Sequence, residues 1–208
     1  MTQLLLIRHA ENDWVRTGRL AGWTPGVHLN ENGRKQAEAL GERLAGARLT
    51  ALYSSPLERA METAQAVAAH YPGLTIQPEE GIGEVHFGDW TGRRLMQLAR
   101  TRLWQIVQHQ PAGARFPQGE SFFECQFRLV QAVERIAAAH PGGRVALVSH
   151  SDVIKLVIAH YAGIHLDLFQ RLTIAPASIS AIELHRGGPR ILRLNDTAHY
   201  DPAGNGRG

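Results

Sequence analysis

Two histidines and two arginines stand where short apolar runs stop. The run Leu4 to Ile7 ends at Arg8-His9, the run Arg144 to Ser149 ends at His150, and Arg59 follows the run Thr50 to Ser54 by five residues. If these runs are neighbouring parallel strands, their carboxyl ends bring both imidazoles and both guanidinium groups to one crevice, where open α/β sheets hold ligands. Such a set suits a phosphoryl group. Guanidinium forks bind phosphate oxygens bidentately and offset the charge that repels a nucleophile. A neutral imidazole can then attack phosphorus, forming a phosphohistidine and dividing one difficult displacement into two. His9 is the candidate nucleophile. The departing alkoxide needs a proton, and the water that follows must lose one. Glu84, flanked by Val85, Phe87 and Trp90, is the candidate for both tasks, because apolar shielding raises a carboxyl pKa toward the working range of an acid.

These side chains require particular elements behind them. The apolar opening run reads as a strand buried on both faces. Asn30 is placed to cap a helix over residues 31–45 with Ala37, Leu40 and Leu44 inward. After a second strand at residues 50–54, Ser55-Pro56-Leu57-Glu58 has the spacing of a capping box, which predicts a helix starting just past the strand end, with Arg59 in its first turn. A third strand is expected at residues 74–76. The glycine-rich stretch from Gly81 to Trp90 reads as an irregular loop that aims Glu84 inward. Helical segments are expected within residues 92–108 and from Ser121 to Ala139, then a strand over residues 144–149, a helix from about Asp152, and strands over residues 179–184 and 191–194. The tail from Thr197 is expected to fray.

Composition narrows the partners. At 208 residues without a Pro/Gly/Ser-rich or single-charge linker, the chain is expected to form one domain. The net charge of +3 comes without a basic run, so nucleic acid is not expected, while a small anion needs only a few converging cations. With one cysteine, Cys125, no internal disulfide can form, and its helical-spaced neighbours Phe123, Phe127, Val130 and Val133 mark it as a packed thiol. No apolar stretch is long enough to span a bilayer and no signal-type segment opens the chain, so the expected location is the cytoplasm, with no membrane partner. The chain lacks His-Glu-x-x-His spacing, a Walker-type loop and a Gly-x-Ser-x-Gly elbow, and the chemistry outlined calls for no metal or cofactor.

Taken together, the motifs resemble those of the histidine phosphatase superfamily, the phosphoglycerate mutase-like family, from Leu4 to about His199. Its opening Arg-His-Gly-Glu-Thr is matched by Arg8-His9-Ala10-Glu11-Asn12. Its Ser-Pro segment is matched by Ser55-Pro56-Leu57-Glu58-Arg59-Ala60-Met61-Glu62-Thr63-Ala64. Its acid-bearing segment is similar to Glu84-Val85-His86-Phe87-Gly88-Asp89-Trp90-Thr91-Gly92, its late Ser-His-Gly to Ser149-His150-Ser151, and the ending of many phosphatase members to Asn195-Asp196-Thr197. The resemblance implies a three-layer α/β/α sandwich with a mostly parallel central sheet. It also implies His9 as the phosphorylated nucleophile, Arg8, Arg59 and His150 as phosphoryl ligands, and Glu84 as proton donor. The chain departs from the pattern at Ala10, at Val15, where many members have an asparagine, and at Ser151. Asn12 is the residue that could supply the amide missing at Val15.

The stretch after the acid is similar to the phosphatase version rather than the mutase version, which implies a phosphomonoester hydrolase acting on a small phosphorylated metabolite. Phosphoglycerate mutase-type transfer is the alternative, and a non-catalytic phosphate-binding relative a third. Two expected lid pieces, residues 14–28 and 86–120, mix tryptophans with arginines and suit a substrate with a second anionic or planar part. Trp23, Arg93 and Arg94 are the candidate contacts there, beside Asn12. Whether the protein assembles as a homo-oligomer is left open.

Overall fold

The computed structural model describes residues 1–200. Six strands form one sheet: β1 (Thr2–Arg8), β2 (Ala51–Ser54), β3 (Ile76–Pro78), β4 (Arg144–Ser149), β5 (Ile179–Leu184) and β6 (Arg190–Asp196), in the order β3-β2-β4-β1-β5-β6. The first four of that order run parallel, and β5 and β6 are antiparallel additions at one side. The helices are α1 (Asp13–Arg16), α2 (Glu31–Leu44), α3 (Glu58–Ala68), α4 (Leu95–Leu98), α5 (Arg102–His109), α6 (Phe122–Ala139) and α7 (Ser151–Ala162).

Alternation along the central strands supplies two cores. Leu4 and Leu6 of β1, with Val145 and Leu147 of β4, face a core built with α6 and α7. Leu5 and Ile7, with Ala146 and Val148, face the opposite core, built with α2 and α3. Successive side chains of a strand point to opposite faces, so a continuous apolar run is what a sheet covered by helices on both sides demands. The result is the three-layer α/β/α sandwich that the resemblance implies.

Two expectations shift, and one is given detail. The strand foreseen at residues 74–76 lies at Ile76–Pro78, because Leu74 is held in the turn before it by its N–H donating to Tyr71 O, and β2 begins to offer partners at Leu52 opposite Ile76. The helical segments expected within residues 92–108 are α4 and α5, the second capped by Thr101, whose hydroxyl accepts from Trp104 N. The capping box at Ser55 does not form: α3 starts at Glu58 with Leu57 at the cap position and no side-chain cap. The Ser55 hydroxyl is bonded to His150, and the Glu58 carboxylate accepts from Gly26 N. By contrast, Asn30 caps α2 through Gly33 N, and Ser121 with Glu124 forms a complete capping box on α6.

Residues 197–200 belong to the packed structure. His199 Nε2 lies 3.1 Å from Ala177 O and the Tyr200 hydroxyl donates to Pro176 O, so the expected fraying does not begin at Thr197; the remainder of that tail lies outside the described residues. Cys125 is fully buried on α6, as its spacing predicts. Among the described residues no helix is long and apolar enough to cross a membrane.

Candidate active site

The carboxyl ends of β1, β2 and β4 are adjacent, and each delivers part of one cluster. His9 follows β1, with its backbone N–H donating to Ser149 O at 2.8 Å, so the ends of β1 and β4 are tied together at the point where chemistry-bearing residues begin. Its ring is 2.7 Å, through Nδ1, from Ala10 O. A carbonyl can only accept, so Nδ1 carries the proton and Nε2 keeps a free lone pair. Burial, with Arg59 and Arg8 beside it, holds the His9 pKa well below its ordinary value, and the ring is neutral. The main chain here is fixed from α3: Ala10 N donates to the Thr63 hydroxyl, which donates to Arg59 O one turn back.

Arg59 is 1% exposed, in the first turn of α3. Its Nη2 donates to Gly22 O at 2.8 Å and to His150 Nδ1 at 3.3 Å. Because the guanidinium has only donors, Nδ1 of His150 is the acceptor, and Nε2–H donates to the Ser55 hydroxyl at 2.8 Å. Ser55 therefore orients the second imidazole instead of capping the helix. Burial and the positive charge of Arg59 keep His150 neutral as well. The two rings lie edge to face with centroids 5.2 Å apart. On the other side Arg8 donates through Nη1 to Ile174 O at 2.6 Å.

The acid reaches the same place from the loop after β3. One Glu84 carboxylate oxygen stands 3.5 Å from His150 Nδ1 and 3.8 Å from Arg59 Nη2. Burial raises the Glu84 pKa from 4.5 to about 7 against the pull of Arg59, with Asp152 adding to the rise. Its main chain is clamped: Glu84 O accepts from Trp23 Nε1 at 2.7 Å and from Arg128 Nη2 at 2.8 Å. Arg128, on α6, also donates to Gly81 O and Gly83 O, and pairs with Glu120, whose carboxylate accepts from His86 N. One guanidinium thus fixes the backbone on both sides of the acid.

A cavity of about 280 Å³ opens over Arg8, His9, Asn12, Arg59 and Glu84. Three of these residues carry buried donors without a hydrogen-bond partner among the described residues: Arg8 Nε, Asn12 Nδ2 and Arg59 Nη1. Buried polar groups are otherwise nearly always paired, so three unpaired donors around one cavity mark an anion site. Asn12 owes its orientation to α1, where its side-chain oxygen caps Val15 N and leaves the amide nitrogen over. The valine at position 15 thus contributes a backbone N–H to the arrangement.

Not every candidate is brought there. Arg93 and Arg94 are exposed and do not line the cavity; the Arg93 main chain pairs with Leu20 and that of Arg94 bridges to Arg19. Trp23 also lies outside the cavity wall. It stacks on His86 at 4.6 Å, packs against Gly83 and supports Glu84 from behind. Conversely, Trp14, Trp104, Ser151, Asp152 and Gln170 line the cavity without having been singled out for it. Ser151 and Asp152 follow His150 directly, a placement the strand-to-helix junction could have suggested. Trp14 and Trp104 fall within the two expected lid pieces, whose tryptophans were read as suited to a planar substrate part, whereas Gln170 comes from a distant segment with no local signal.

Comparison with known proteins agrees with this architecture. A family profile described as histidine phosphatase superfamily (branch 1) matches residues 4–197. Phosphoserine phosphatase 1 of Hydrogenobacter thermophilus is 31% identical over 204 residues, covering 96% of this chain and 94% of that protein. The solved structure of Bacillus stearothermophilus YhfR superposes with a TM-score of 0.89 at 31% identity, over 96% of this chain and 99% of that one. That of phosphoserine phosphatase from Entamoeba histolytica with 3-phosphoglyceric acid gives 0.88 at 26% identity, over 96% and 99%. The matched residues run from the strand that carries Arg8 and His9 to beyond the last strand, and the chain belongs to the histidine phosphatase superfamily, branch 1.

Proposed function

We propose that the protein is a phosphomonoester hydrolase working through a phosphohistidine on His9. The observation that carries the reading is the His9 ring itself: neutral, with its proton held at Nδ1 by Ala10 O and a lone pair on Nε2, in the wall of a cavity with three unpaired donors. In the first step Nε2 attacks phosphorus, the ester P–O bond breaks, and the departing alkoxide takes the proton of Glu84. In the second, water attacks the phosphohistidine and gives a proton to the Glu84 carboxylate, the P–N bond breaks, and His9 returns neutral. A group with pKa about 7 is populated in both forms near neutrality, as a residue alternating between acid and base must be. Arg8, Arg59 and Asn12 bind the phosphoryl oxygens and stabilise charge that grows on them in the transition state, while His150, with its Nε2–H given to Ser55 and its Nδ1 accepting from Arg59, holds the Arg59 guanidinium in position.

Hydrolysis is favoured over mutase-type transfer because Arg93 and Arg94, the cations that could have gripped a second anionic group, are exposed and are not among the residues lining the cavity. The reading includes a single domain over the chain, a small phosphorylated substrate and a cytoplasmic enzyme, where the unpaired thiol of Cys125 suits a reducing compartment. The test is a rapid acid-free quench of the enzyme with a labelled phosphate monoester. An acid-labile, base-stable phosphoryl group on His9, missing in His9→Ala, with one inorganic phosphate released per turnover, is the expected result. Primer-dependent exchange between phosphoglycerate isomers without phosphate release would overturn it in favour of the mutase.

A further inference from the structure

The cavity has two chemically different ends. At one end are the phosphoryl ligands. Away from them the wall is apolar: Trp14, Leu95 and Trp104 line it half-buried, and Trp104 stacks at 6.1 Å on the buried ring of Trp90, itself edge-on to the buried Phe116 at 5.3 Å. Rings packed behind Trp104 in this way hold it rigid, so that its accessible side offers a flat apolar contact to other planar groups.

Besides Glu84, the acid among the residues lining the cavity is Asp152. Asp152, in the first turn of α7, lines the cavity and acts electrostatically on both Glu84 and Arg8. Lys155 fixes it, donating to Asp152 Oδ1 at 3.2 Å and to Gln170 Oε1 at 3.1 Å, while Lys155 itself stays out of the cavity wall. The remaining cation, Arg19, sits exposed over the Trp14 ring at 4.9 Å, where solvent screens it. A carboxylate on the carbon chain next to the ester oxygen would therefore meet Asp152 before it met a partner.

We propose that the preferred substrate is a phosphate monoester whose alcohol is a planar, mainly apolar group without a carboxylate, such as an arylalkyl phosphate, with the apolar wall and Asp152 setting the choice. This rests on the hydrolase reading above. The apolar surface selects for shape and apolar area, and the aspartate selects against anions by repulsion, an attractive and a repulsive element acting together.

The experiment compares 2-phenylethyl phosphate with O-phosphoserine and 3-phosphoglycerate, all esters of unactivated alcohols, by kcat/KM from released inorganic phosphate. The expected result is an advantage of about tenfold or more for 2-phenylethyl phosphate, the scale on which an apolar pocket discriminates. Asp152→Asn should shrink its advantage over 3-phosphoglycerate several-fold, and Trp104→Ala should raise KM for 2-phenylethyl phosphate. Equal or better turnover of either carboxylate-bearing ester by the unmodified enzyme overturns the inference while leaving the hydrolase reading intact. Release of phosphate from none of the three overturns the hydrolase reading, and the inference with it.

Discussion

At the scale of single residues, what matters is where protons sit. His9 is useful because one backbone carbonyl holds its proton at Nδ1, and Glu84 is useful because burial holds its proton at all. For an ester of an unactivated alcohol, kcat should fall as pH rises through about 7, since the first step uses the protonated acid. Glu84→Gln should lower kcat for such esters by roughly 10²–10⁴-fold and remove that limb from the pH profile. A steady-state pH series on both proteins checks it. Four of the five central residues could be found from sequence because each occupies a strand end or the first helical turn after one, positions set by local pattern, while Glu84, on an irregular loop, was marked by its apolar neighbours Val85, Phe87 and Trp90. Trp23, Arg93 and Arg94 could not be placed, because loop residues are aimed by backbone pairing such as that of Arg94 with Arg19, which leaves no periodic trace.

At the scale of elements, the acid is held from a distance. The loop around Glu84 has little regular structure, and its shape depends on Arg128 of α6 and on Glu120, just before that helix. Gly88, with φ of +52°, completes the seam: a Cβ there would stand 2.0 Å from Pro117 O, so the loop and the segment before α6 touch backbone to backbone. Arg128→Gln should leave the phosphoryl ligands in place but loosen the acid. The expected loss of kcat is at least tenfold for an alkyl phosphate and much smaller for 4-nitrophenyl phosphate, whose leaving group needs no proton. Equal losses on both substrates would show that Arg128 supports the fold rather than the acid. The boundaries of α2 and α6 were legible because Asn30 and Ser121 cap them. The start of α3 was not, because the Ser55 hydroxyl serves His150, and a side chain recruited to a site stops obeying local rules.

At the scale of the whole molecule, the site works against the fold that carries it. Glu84 is raised from 4.5 to about 7, so the folded state holds its proton more tightly than the unfolded chain does. Ionisation in the folded protein is thus penalised. The sign follows: relative to Glu84→Gln, the native protein loses stability as pH climbs from about 4.5 to about 7 and gains no further deficit above that. The deficit at pH 8 should be on the order of 3 kcal/mol. Denaturant titrations of both proteins at pH 5 and pH 8 check it, with the gap between them widening at the higher pH. The sandwich itself was legible from the sequence, since runs such as Leu4 to Ile7 and Val145 to Val148 admit no exposed face. The direction of β5 and β6 was not, because strand polarity at a sheet's side is decided by connection geometry rather than by composition.

The sole sulfhydryl of the molecule offers a clock for this machinery. Cys125 lies wholly inside, its Sγ 3.5 Å from Arg128 Nη2, and burial pushes its pKa far up. It can react with an alkylating reagent only when α6 parts from the acid loop, so its labelling half-time reads how often that seam opens. The native protein should label slowly, Arg128→Gln many times faster while its far-ultraviolet dichroism stays unchanged, and a tightly held phosphate mimic should slow both.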